Sequence, residues 1–335
     1  MKALICPSLG PPETLAVMEV EKPSAKAGEV VVDVVYAALN FFDTLIIEGK
    51  YQLKPEPPFS PAGEFSGRVA AVGPGVAGFA VGDRVMGSTG YGAAREQIAV
   101  AANRLAHVPA GLALDKAAGL AIAYGTSLHA LKQRAEMRPG ETLAVLGASG
   151  GVGLAAVEIG KAMGARVIAC ASSDDKLEFA RGYGASETIN YAAEVFRARL
   201  KELTGGQGVD VVYDPVGGAL TELALRSLAW KGRLLVIGFA SGEIPKPPLN
   251  LTLLKGCDIR GVYWGEFVSR EPEAHRDNMS QLLSWAESGA LSVHVHAKFP
   301  IEGYLKAFEA IAKRQALGKV LLQLGEDLRG INQTA

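Results

Sequence analysis

A glycine-rich turn near the middle of the chain carries the residue pattern with the clearest chemical meaning. Its glycines are Gly147, Gly150, Gly151 and Gly153. The apolar run Thr142–Leu146 precedes the turn and the apolar-rich segment 154–163 follows it, which predicts a buried strand, a turn and a helix. Glycines let the backbone of such a turn approach a ligand closely. The first amide groups and the positive dipole end of the helix would face that ligand, an arrangement that binds a pyrophosphate.

The spacing of these glycines differs at one position from G-x-G-x-x-G, the usual fingerprint of dinucleotide-binding turns. Gly150 and Gly153 occupy the second and third glycine positions, and Ala148 occupies the first. A glycine-rich turn alone is weak evidence, because many helices begin near a glycine. The order strand, turn and helix is what favours nucleotide binding here.

The end of the next predicted strand, Arg166–Ala171, bears on which nucleotide would bind. An NAD enzyme usually has an acidic residue there, about 20 positions past the glycines, for the ribose 2′-hydroxyl. This chain has Ser172, which leaves room for a 2′-phosphate, and Lys176 could supply positive charge. Asp174 and Asp175 complicate this, but acidic residues at a helix start also compensate the helix dipole. We therefore favour NADPH over NADH, although Lys176 could equally belong to a solvated helix face.

Length and composition exclude several other classes of function. At 335 residues the chain can form two domains, and its net charge of −1 favours neither nucleic acid nor an anionic membrane as a partner. Its cysteines are Cys6, Cys170 and Cys257. They are too far apart for a disulfide framework or a zinc-spaced cluster. The start of the chain lacks a secretory signal and the apolar run 117–131 is too short to span a bilayer, so we expect a cytoplasmic protein.

The elements that must position the glycine turn change character along the chain. Short runs with Gly/Pro punctuation in residues 1 to about 110 predict a small β barrel or sandwich. The predicted strands there are 30–38, Glu64–Val72, one that follows the turn at 81–85, and 96–100. From about residue 120, strands alternate with helices, which predicts a doubly wound parallel sheet.

The predicted sheet and the segments after it define a second domain and a return. Its strands are Thr142–Leu146, Arg166–Ala171, Glu187–Asn190, Val209–Asp214, 233–238 and 259–263, and its helices are 154–163, 174–183, 193–203 and 220–230. The last helices, 278–289 and 301–315, and the strand 320–324 are expected to return to the first domain. Such an arrangement would leave a cleft between the domains, where ligands tend to bind.

Six further segments, taken with the glycine turn, resemble a known family. They are NFFDT at 40–44, GKY at 49–51, PAGE at 61–64, VGDRV at 81–85, GT at 125–126 and YDPVG at 213–217. On these residues the chain resembles the medium-chain dehydrogenases/reductases, and most of all their zinc-free quinone reductase (zeta-crystallin) branch. The resemblance implies an α/β fold with a GroES-like catalytic domain at 1–122 and a Rossmann NADPH-binding domain at 123–264. Residues 265–335 would return to the catalytic domain.

The same resemblance shows where the zinc-dependent relatives hold a catalytic metal. Their Cys, His and Cys ligands correspond to Asn40, Gly63 and Ile122, and a glycine or isoleucine side chain offers nothing to zinc. The four-cysteine structural zinc lobe is missing too. Without this Lewis acid the expected chemistry is hydride donation to an acceptor that is already electrophilic. A quinone or an activated C=C bond is such an acceptor.

The resemblance also assigns roles to single residues. Asn40 and Asp43 would lie at the floor of the substrate cleft and Tyr51 on its rim. Thr126, Gly238 and Phe239 would contact the nicotinamide half of NADPH. The pyrophosphate would bind to Ala148, Ser149, Gly150, Gly151 and Val152, the 2′-phosphate to Ser172, Lys176 and Tyr191, and Arg314 would lie near the phosphates. Leu128 stands where relatives often have an aromatic residue, and Tyr124 is nearby in sequence, which leaves the shape of the nicotinamide pocket open.

Several of these residues also have a purely structural interpretation. Asp43 could cap the helix that begins near Thr44, and Asn40 could be a satisfied buried amide. Tyr51 could be an ordinary loop aromatic. Glu64 is expected to be a paired, structural carboxylate.

The resulting expectation is an NADPH-dependent, zinc-independent reductase of quinones or α,β-unsaturated carbonyl compounds. An enoyl-thioester reductase and a non-catalytic NADPH-binding protein remain as alternatives. The family resemblance further implies a homodimer that pairs through the sheet edge near 259–263.

Overall fold

The computed structural model describes residues 1–327, which form two compact units. The first contains Met1–Ile122 and the chain from Val293 onward, and the second contains Ala123–Ser292. The return to the first unit therefore comes at residue 293, not at residue 265 as the sequence suggested.

Strands and two short helices make up residues 1–122. The strands are β1 (Lys2–Ile5), β2 (Ala16–Glu19), β3 (Glu29–Leu39), β4 (Glu64–Val72), β5 (Arg84–Ser88), β6 (Gln97–Ala101) and β7 (Leu105–His107), and the helices are α1 (Phe41–Ile47) and α2 (Leu114–Ala118). The β-rich character predicted for this part is confirmed. The strands β1, β2 and β7 were not predicted, because they span three or four residues and are too short to show a clear alternation.

Strands and helices alternate through the second unit. Its helices are α3 (Ala123–His129, continued by a π-helical turn at Ala130–Arg134), α4 (Gly151–Ala162), α5 (Asp174–Gly182), α6 (Phe196–Leu203), α7 (Ala219–Arg226), α8 (Asn250–Lys255), α9 (Trp264–Arg270) and α10 (Pro272–Glu287). Its strands are β8 (Thr142–Leu146), β9 (Arg166–Ala171), β10 (Glu187–Asn190), β11 (Val209–Asp214), β12 (Leu228–Val236) and β13 (Asp258–Gly261). These six strands form one parallel sheet in the order β10-β9-β8-β11-β12-β13. The strand order reverses between β8 and β11, the position at which such sheets bind ligands.

The core of this sheet explains why its strands were predictable. Leu143, Ala144, Val145 and Leu146 of β8 are all fully buried, as a central strand covered on both faces should be. The predicted doubly wound parallel sheet is thus confirmed. Among residues 1–327, no helix has the length and apolar character that crossing a membrane requires.

The chain completes the first unit after residue 292. The returning elements are β14 (Val295–Pro300), α11 (Tyr304–Ala312) and β15 (Lys319–Gln323). They join the earlier strands in a sheet of order β14-β15-β3-β4-β5-β7, with β6 paired to β3. β15 runs antiparallel to β3, with Val320 opposite Leu39, so it places Lys319 beside the end of β3.

Several helix predictions were wrong at their ends, among them 193–203, observed as Phe196–Leu203, and 278–289, observed as Pro272–Glu287. The helix expected at 220–230 ends at Arg226, and the chain enters β12 at Leu228. The sequence gives no stop signal there, because the apolar period of the helix continues into the strand. The helix expected at 301–315 begins as a short 3₁₀ turn and is α-helical only over Tyr304–Ala312.

The long helix α10 stays with the second unit because it packs on α3 and the π-helical turn that follows. Asn278 and Gln133 exchange two side-chain hydrogen bonds of 3.0 and 3.1 Å. A Cβ placed on Gly125 would lie 3.1 Å from the Met279 side chain, so the two helices approach closely. The sequence-based prediction assigned α10 to the other unit, because an amphipathic pattern does not show which surface a helix packs against.

Candidate cofactor and acceptor sites

The glycine turn joins β8 to α4. Its glycines occupy their positions for different structural reasons. Gly147 has a φ of +59°, which favours glycine. A Cβ placed on Gly153 would lie 2.1 Å from the carbonyl oxygen of Gly147, so no other residue fits there. A Cβ placed on Gly150 would meet nothing closer than 3.6 Å, which leaves the start of α4 open to a ligand.

The alanine in the fingerprint is accommodated without distortion of the turn. Ala148 is fully buried, and its N–H donates a 3.1 Å hydrogen bond to the carbonyl oxygen of Cys170 on β9. Ser149 is buried as well, whereas Gly151 and Val152 begin α4 and are half-buried. The N–H groups of a helix's first turn have no partner within the helix. This turn therefore has the donors that a pyrophosphate needs.

Ser172 and Tyr191 follow neighbouring strands and come out at the same edge of the sheet. The N–H of Tyr191 donates a 3.1 Å hydrogen bond to the carbonyl oxygen of Ala171, directly before Ser172. Ser172 is exposed, and Lys176 lies one turn further along α5 and is half-buried. Asp174 accepts a 2.8 Å hydrogen bond from the Asn190 side chain, so this acid has a structural role. The structure brings together the three residues predicted around a 2′-phosphate.

Thr126 lies on α3, which contacts the first turn of α4. The hydroxyl of its neighbour Ser127 donates a 3.0 Å hydrogen bond to the carbonyl oxygen of Val152 and lies 2.8 Å from the hydroxyl of Tyr213. Burial raises the pKa of Tyr213 above its ordinary value. Thr126 itself is half-buried beside this contact.

The two residues that left the pocket shape open both point into the core. Leu128 is fully buried and Tyr124 is 1% exposed. The Tyr124 hydroxyl donates to the carboxylate of Glu158 on α4. Within the second unit, then, neither side chain lies on the surface.

Gly238 and Phe239 follow β12 and lie against the turn that follows β11. The carboxylate of Asp214 organises that turn, because it accepts 2.9 Å hydrogen bonds from the N–H groups of Val216 and Gly217. A Cβ placed on Gly217 would lie 3.0 Å from the Phe239 ring. The loops after β8, β11 and β12 thus meet at the carboxyl edge of the sheet.

In the first unit, Asn40 and Asp43 lie at the start of α1. Asn40 precedes the helix and is half-buried, and its N–H donates a 2.7 Å hydrogen bond to Asp43. Asp43 is fully buried and also accepts a 3.1 Å hydrogen bond from the N–H of Ala62. Burial raises the pKa of Asp43 to about 7, against the opposing effects of these hydrogen bonds and of Lys319. These contacts favour the structural interpretation of Asp43, and its place beside an acceptor stays a prediction.

A buried ion pair lies next to Asn40. The ammonium of Lys319 is 2.8 Å from Glu64 Oε1 and 2.5 Å from Asn40 Oδ1, and the Lys319 and Glu64 side chains are 2% and 0% exposed. Glu64 also accepts a 3.0 Å hydrogen bond from Asn40 Nδ2 and a 2.7 Å one from the N–H of Ile122. Glu64 is thus a paired carboxylate, as expected. Sequence reasoning missed Lys319, because a lysine at the edge of an apolar run looks like a solvated flank.

The three positions that the family resemblance matches to zinc ligands, Asn40, Gly63 and Ile122, lie next to this ion pair. A Cβ placed on Gly63 would lie 2.9 Å from the Gly90 carbonyl oxygen and 3.0 Å from both Ile122 and Phe42, so no side chain fits there. The donor set at these positions is an amide that is already hydrogen-bonded, a bare backbone and an alkyl group. Within residues 1–327 no three His, Cys, Asp or Glu side chains come together in a way that could hold a metal ion.

The last two predicted residues lie in the first unit. The ring of Tyr51 is half-buried and stacks on Phe42, with ring centroids 5.4 Å apart. Arg314 lies in the turn after α11 with a φ of +56°. Their roles toward substrate and cofactor stay predictions.

Comparisons with known proteins agree with both units. Residues 26–110 match the family described as alcohol dehydrogenase GroES-like domain, and residues 151–287 match the family described as zinc-binding dehydrogenase. The second description applies to the family as a whole, since this chain lacks the zinc donor set described above.

Relatives cover almost the whole chain. Quinone oxidoreductase-like protein 2 of Rattus norvegicus is 38% identical over 96% of this chain and 92% of its own length. Quinone oxidoreductase 1 of Escherichia coli is 33% identical over 93% of this chain and 96% of its own. The crystal structure of Escherichia coli quinone oxidoreductase complexed with NADPH superposes with a TM-score of 0.89 at 30% identity, over 96% of this chain and 100% of that one. The chain therefore belongs to the medium-chain dehydrogenase/reductase superfamily, in its quinone oxidoreductase branch.

Proposed function

We propose that this protein is an NADPH-dependent reductase that delivers hydride, without zinc, to quinones or α,β-unsaturated carbonyl compounds. The observation that carries the proposal is the carboxyl edge of the second unit's sheet. There the turn at Gly150 is open, and Ser172 stands where an NAD enzyme would have an acid. The acceptor class is taken from the relatives, whose names are those of quinone oxidoreductases.

The residues of the second unit suit NADPH by their chemistry. The pyrophosphate would bind at the turn Ala148–Val152, at the positive end of the α4 dipole. The 2′-phosphate would bind beside Ser172, Lys176 and Tyr191, with no carboxylate at Ser172 to repel it. The nicotinamide half would contact Thr126, Gly238 and Phe239. Reduced nicotinamide, when bound, supplies the hydride.

The acceptor is assigned to Asn40 and Tyr51 of the first unit. Asp43 would hold Asn40 in place, because its carboxylate accepts the hydrogen bond from the Asn40 N–H. Both Asn40 and Tyr51 are half-buried and carry hydrogen-bonding groups, whereas Asp43 is enclosed. These groups would act by orienting the acceptor and by displacing water. Water can protonate the reduced quinone, so the reaction needs no proton donor from the protein.

We also propose that two copies of the chain pair along β13. This strand lies at the end of the parallel sheet, and an edge strand is a ready template for self-pairing. Exposed apolar side chains precede it in the chain: Trp230, Leu249, Leu253 and Leu254 are 70 to 81% exposed. Large apolar side chains exposed to this degree favour an interaction site where they form one patch. Light scattering at several concentrations would contradict the dimer if it found monomer throughout.

We place this activity in the cytoplasm, whose reducing conditions suit the three buried free cysteines.

The deciding experiment follows the oxidation of NADPH and, separately, of NADH against quinones, enones and one enoyl thioester. We expect turnover of quinones or enones with a preference for NADPH. Turnover of the thioester alone would reassign the enzyme to enoyl-thioester reduction. Cofactor binding without turnover of any acceptor would leave a non-catalytic NADPH-binding protein.

A further inference from the structure

The buried cluster of Asn40, Glu64 and Lys319 fixes the orientation of one amide group. An ammonium can only donate hydrogen bonds and a carboxylate can only accept them. Asn40 must therefore turn Oδ1 toward Lys319, at 2.5 Å, and Nδ2 toward Glu64, at 3.0 Å. The flipped amide would set N–H groups against the ammonium and an oxygen against the carboxylate.

Nearly every donor in this cluster is already used. The Lys319 ammonium donates to Asn40 Oδ1, to Glu64 Oε1 and, at 3.4 Å, to the carbonyl oxygen of Leu39. Asn40 Nδ2 carries two hydrogens, and one of them goes to Glu64. Within residues 1–327 the second hydrogen has no hydrogen-bond partner, and Asn40 is the half-exposed member of the cluster. It is the hydrogen that a bound molecule could reach.

We propose that Lys319 is a positioning residue that makes Asn40 present this N–H to the carbonyl oxygen of the acceptor. The idea rests on the proposed function. During reduction the acceptor gains a hydride, with its electron pair, from reduced nicotinamide, which is thereby oxidised. The π electrons of the acceptor shift onto its carbonyl oxygen, and water supplies the proton. A donor aimed at that oxygen stabilises the charge as it develops, and the adjacent ammonium strengthens the donor by withdrawing electron density from the amide.

Two variants test this role. The first removes the N–H group of residue 40, and the second keeps both that group and the cation that orients it. Asn40→Asp keeps an acceptor for Lys319 but removes the N–H, so kcat should fall about 100-fold, with little change in the KM for the acceptor. Lys319→Arg keeps the cation and its donors, and should hold kcat within about fivefold. Dissociation constants for NADPH should stay at the wild-type value in both, because all the residues proposed to bind NADPH except Arg314 lie in the second unit.

A third variant should flip the side-chain amide of Asn40, and it removes both charges of the buried ion pair. In Glu64→Gln/Lys319→Met the new side-chain oxygen at position 64 can still accept from the N–H of Ile122, which turns its NH₂ group toward Asn40. Asn40 must then accept that hydrogen bond with Oδ1. Its Nδ2 group turns to the opposite side, where its N–H groups no longer point toward the acceptor. No buried charge is left unpaired, so the variant should fold. We expect its kcat to fall as far as in Asn40→Asp, and adding Asn40→Asp to it should lower kcat no further.

The matched control is Lys298→Met, which removes another lysine ion pair of the same unit, 2.5 Å from Asp115. It should leave turnover unchanged. Full turnover in Asn40→Asp or in the double variant overturns the proposal, as does a 100-fold loss in Lys319→Arg with NADPH binding intact. A double variant that does not fold leaves Asn40→Asp and Lys319→Arg to decide, because both keep a carboxylate at position 64 paired with a cation at position 319. Failure of the wild-type protein to reduce any acceptor would instead refute the proposed function.

Discussion

The carboxylate of Glu158 on α4 accepts a 2.6 Å hydrogen bond from the backbone N–H of Ser292, the last residue of the second unit. Its other oxygen accepts from the hydroxyl of Tyr124, the second residue of that unit. Glu158 is 3% exposed. One buried side chain thus holds both ends of the Rossmann unit to its first crossover helix.

Replacing Glu158 by Ala should destabilise the second unit strongly. The Ser292 N–H and the Tyr124 hydroxyl would lose their acceptor in the interior, and each unsatisfied buried group costs about 1–3 kcal/mol. We expect a loss of about 2–5 kcal/mol in the free energy of unfolding, measured by urea denaturation. Glu178→Ala is the control, because that side chain is 83% exposed and its nearest cation is 3.9 Å away. A Glu158→Ala protein as stable as this control would show that the two hydrogen bonds contribute nothing.

Substitution of Gly153 tests whether the glycine turn is needed for NADPH binding, as distinct from the general effect of glycine on helix stability. A Cβ at this position would lie 2.1 Å from the Gly147 carbonyl oxygen, so Gly153→Ala must displace the turn or the start of α4. We expect NADPH affinity, measured by calorimetry, to fall at least about 10-fold, because a shift of about 1 Å disrupts a preorganised site.

Gly182 at the end of α5 provides the matched glycine. A Cβ there would meet nothing within 4 Å and the backbone is helical, so Gly182→Ala should be neutral or stabilise by up to about 1 kcal/mol. Equal NADPH affinity in the two variants would contradict the assignment of the glycine turn to cofactor binding.

The parallel sheet could be predicted from the sequence because its signals are local. Apolar strands such as β8 and β11, and the glycines after β8, follow from residue types within a few positions of one another. The boundary between α7 and β12 could not, since the spacing of Leu225 and Leu228 fits a continuing helix as well as the start of a strand. Tertiary pairing of β12 with β11 and β13 decides in favour of the strand.

The proposed acceptor site was only partly predictable for a similar reason. Asn40 and Gly63 could be identified because the family resemblance matches them to the metal ligands of zinc-dependent dehydrogenases. Lys319 could not, because its partner Glu64 is 255 positions away and only the pairing of β15 with β3 brings them together. A Cβ placed on Gly119 would lie 2.8 Å from the Lys319 side chain, so that glycine makes room for the buried lysine, which no local pattern reveals.

The pKa of Asp43 predicts how the stability of the protein depends on pH. Burial raises this pKa to about 7, above the value of about 3.9 expected in the unfolded chain. The native state therefore holds a proton that the unfolded state has already released, and stability falls as the pH rises from about 4 to about 7. Between pH 5 and pH 8 this group should remove roughly 3 kcal/mol from the free energy of unfolding.

Urea titrations at pH 5 and pH 8 would measure this effect. Asp43→Asn is less stable at pH 5, because an amide cannot accept from both Asn40 and Ala62, but it should lack the additional loss at pH 8. Asp33→Asn, at an exposed carboxylate, should keep the wild-type pH dependence. An identical pH dependence in the wild type and Asp43→Asn would mean that Asp43 ionises normally when folded.

Ser172 is the residue on which the proposed preference for NADPH over NADH should depend most directly. It is exposed at the end of β9, next to the backbone contact between Ala171 and Tyr191. Ser172→Asp would restore the acid that binds a ribose 2′-hydroxyl and would repel a 2′-phosphate. We expect KM for NADPH to rise at least about 10-fold, since like charges in contact disfavour binding by more than about 1.4 kcal/mol, while KM for NADH stays level or falls. Ser172→Ala, which adds no charge, should change neither constant by more than a few-fold, and equal effects of Ser172→Asp on both cofactors would place the 2′-phosphate elsewhere.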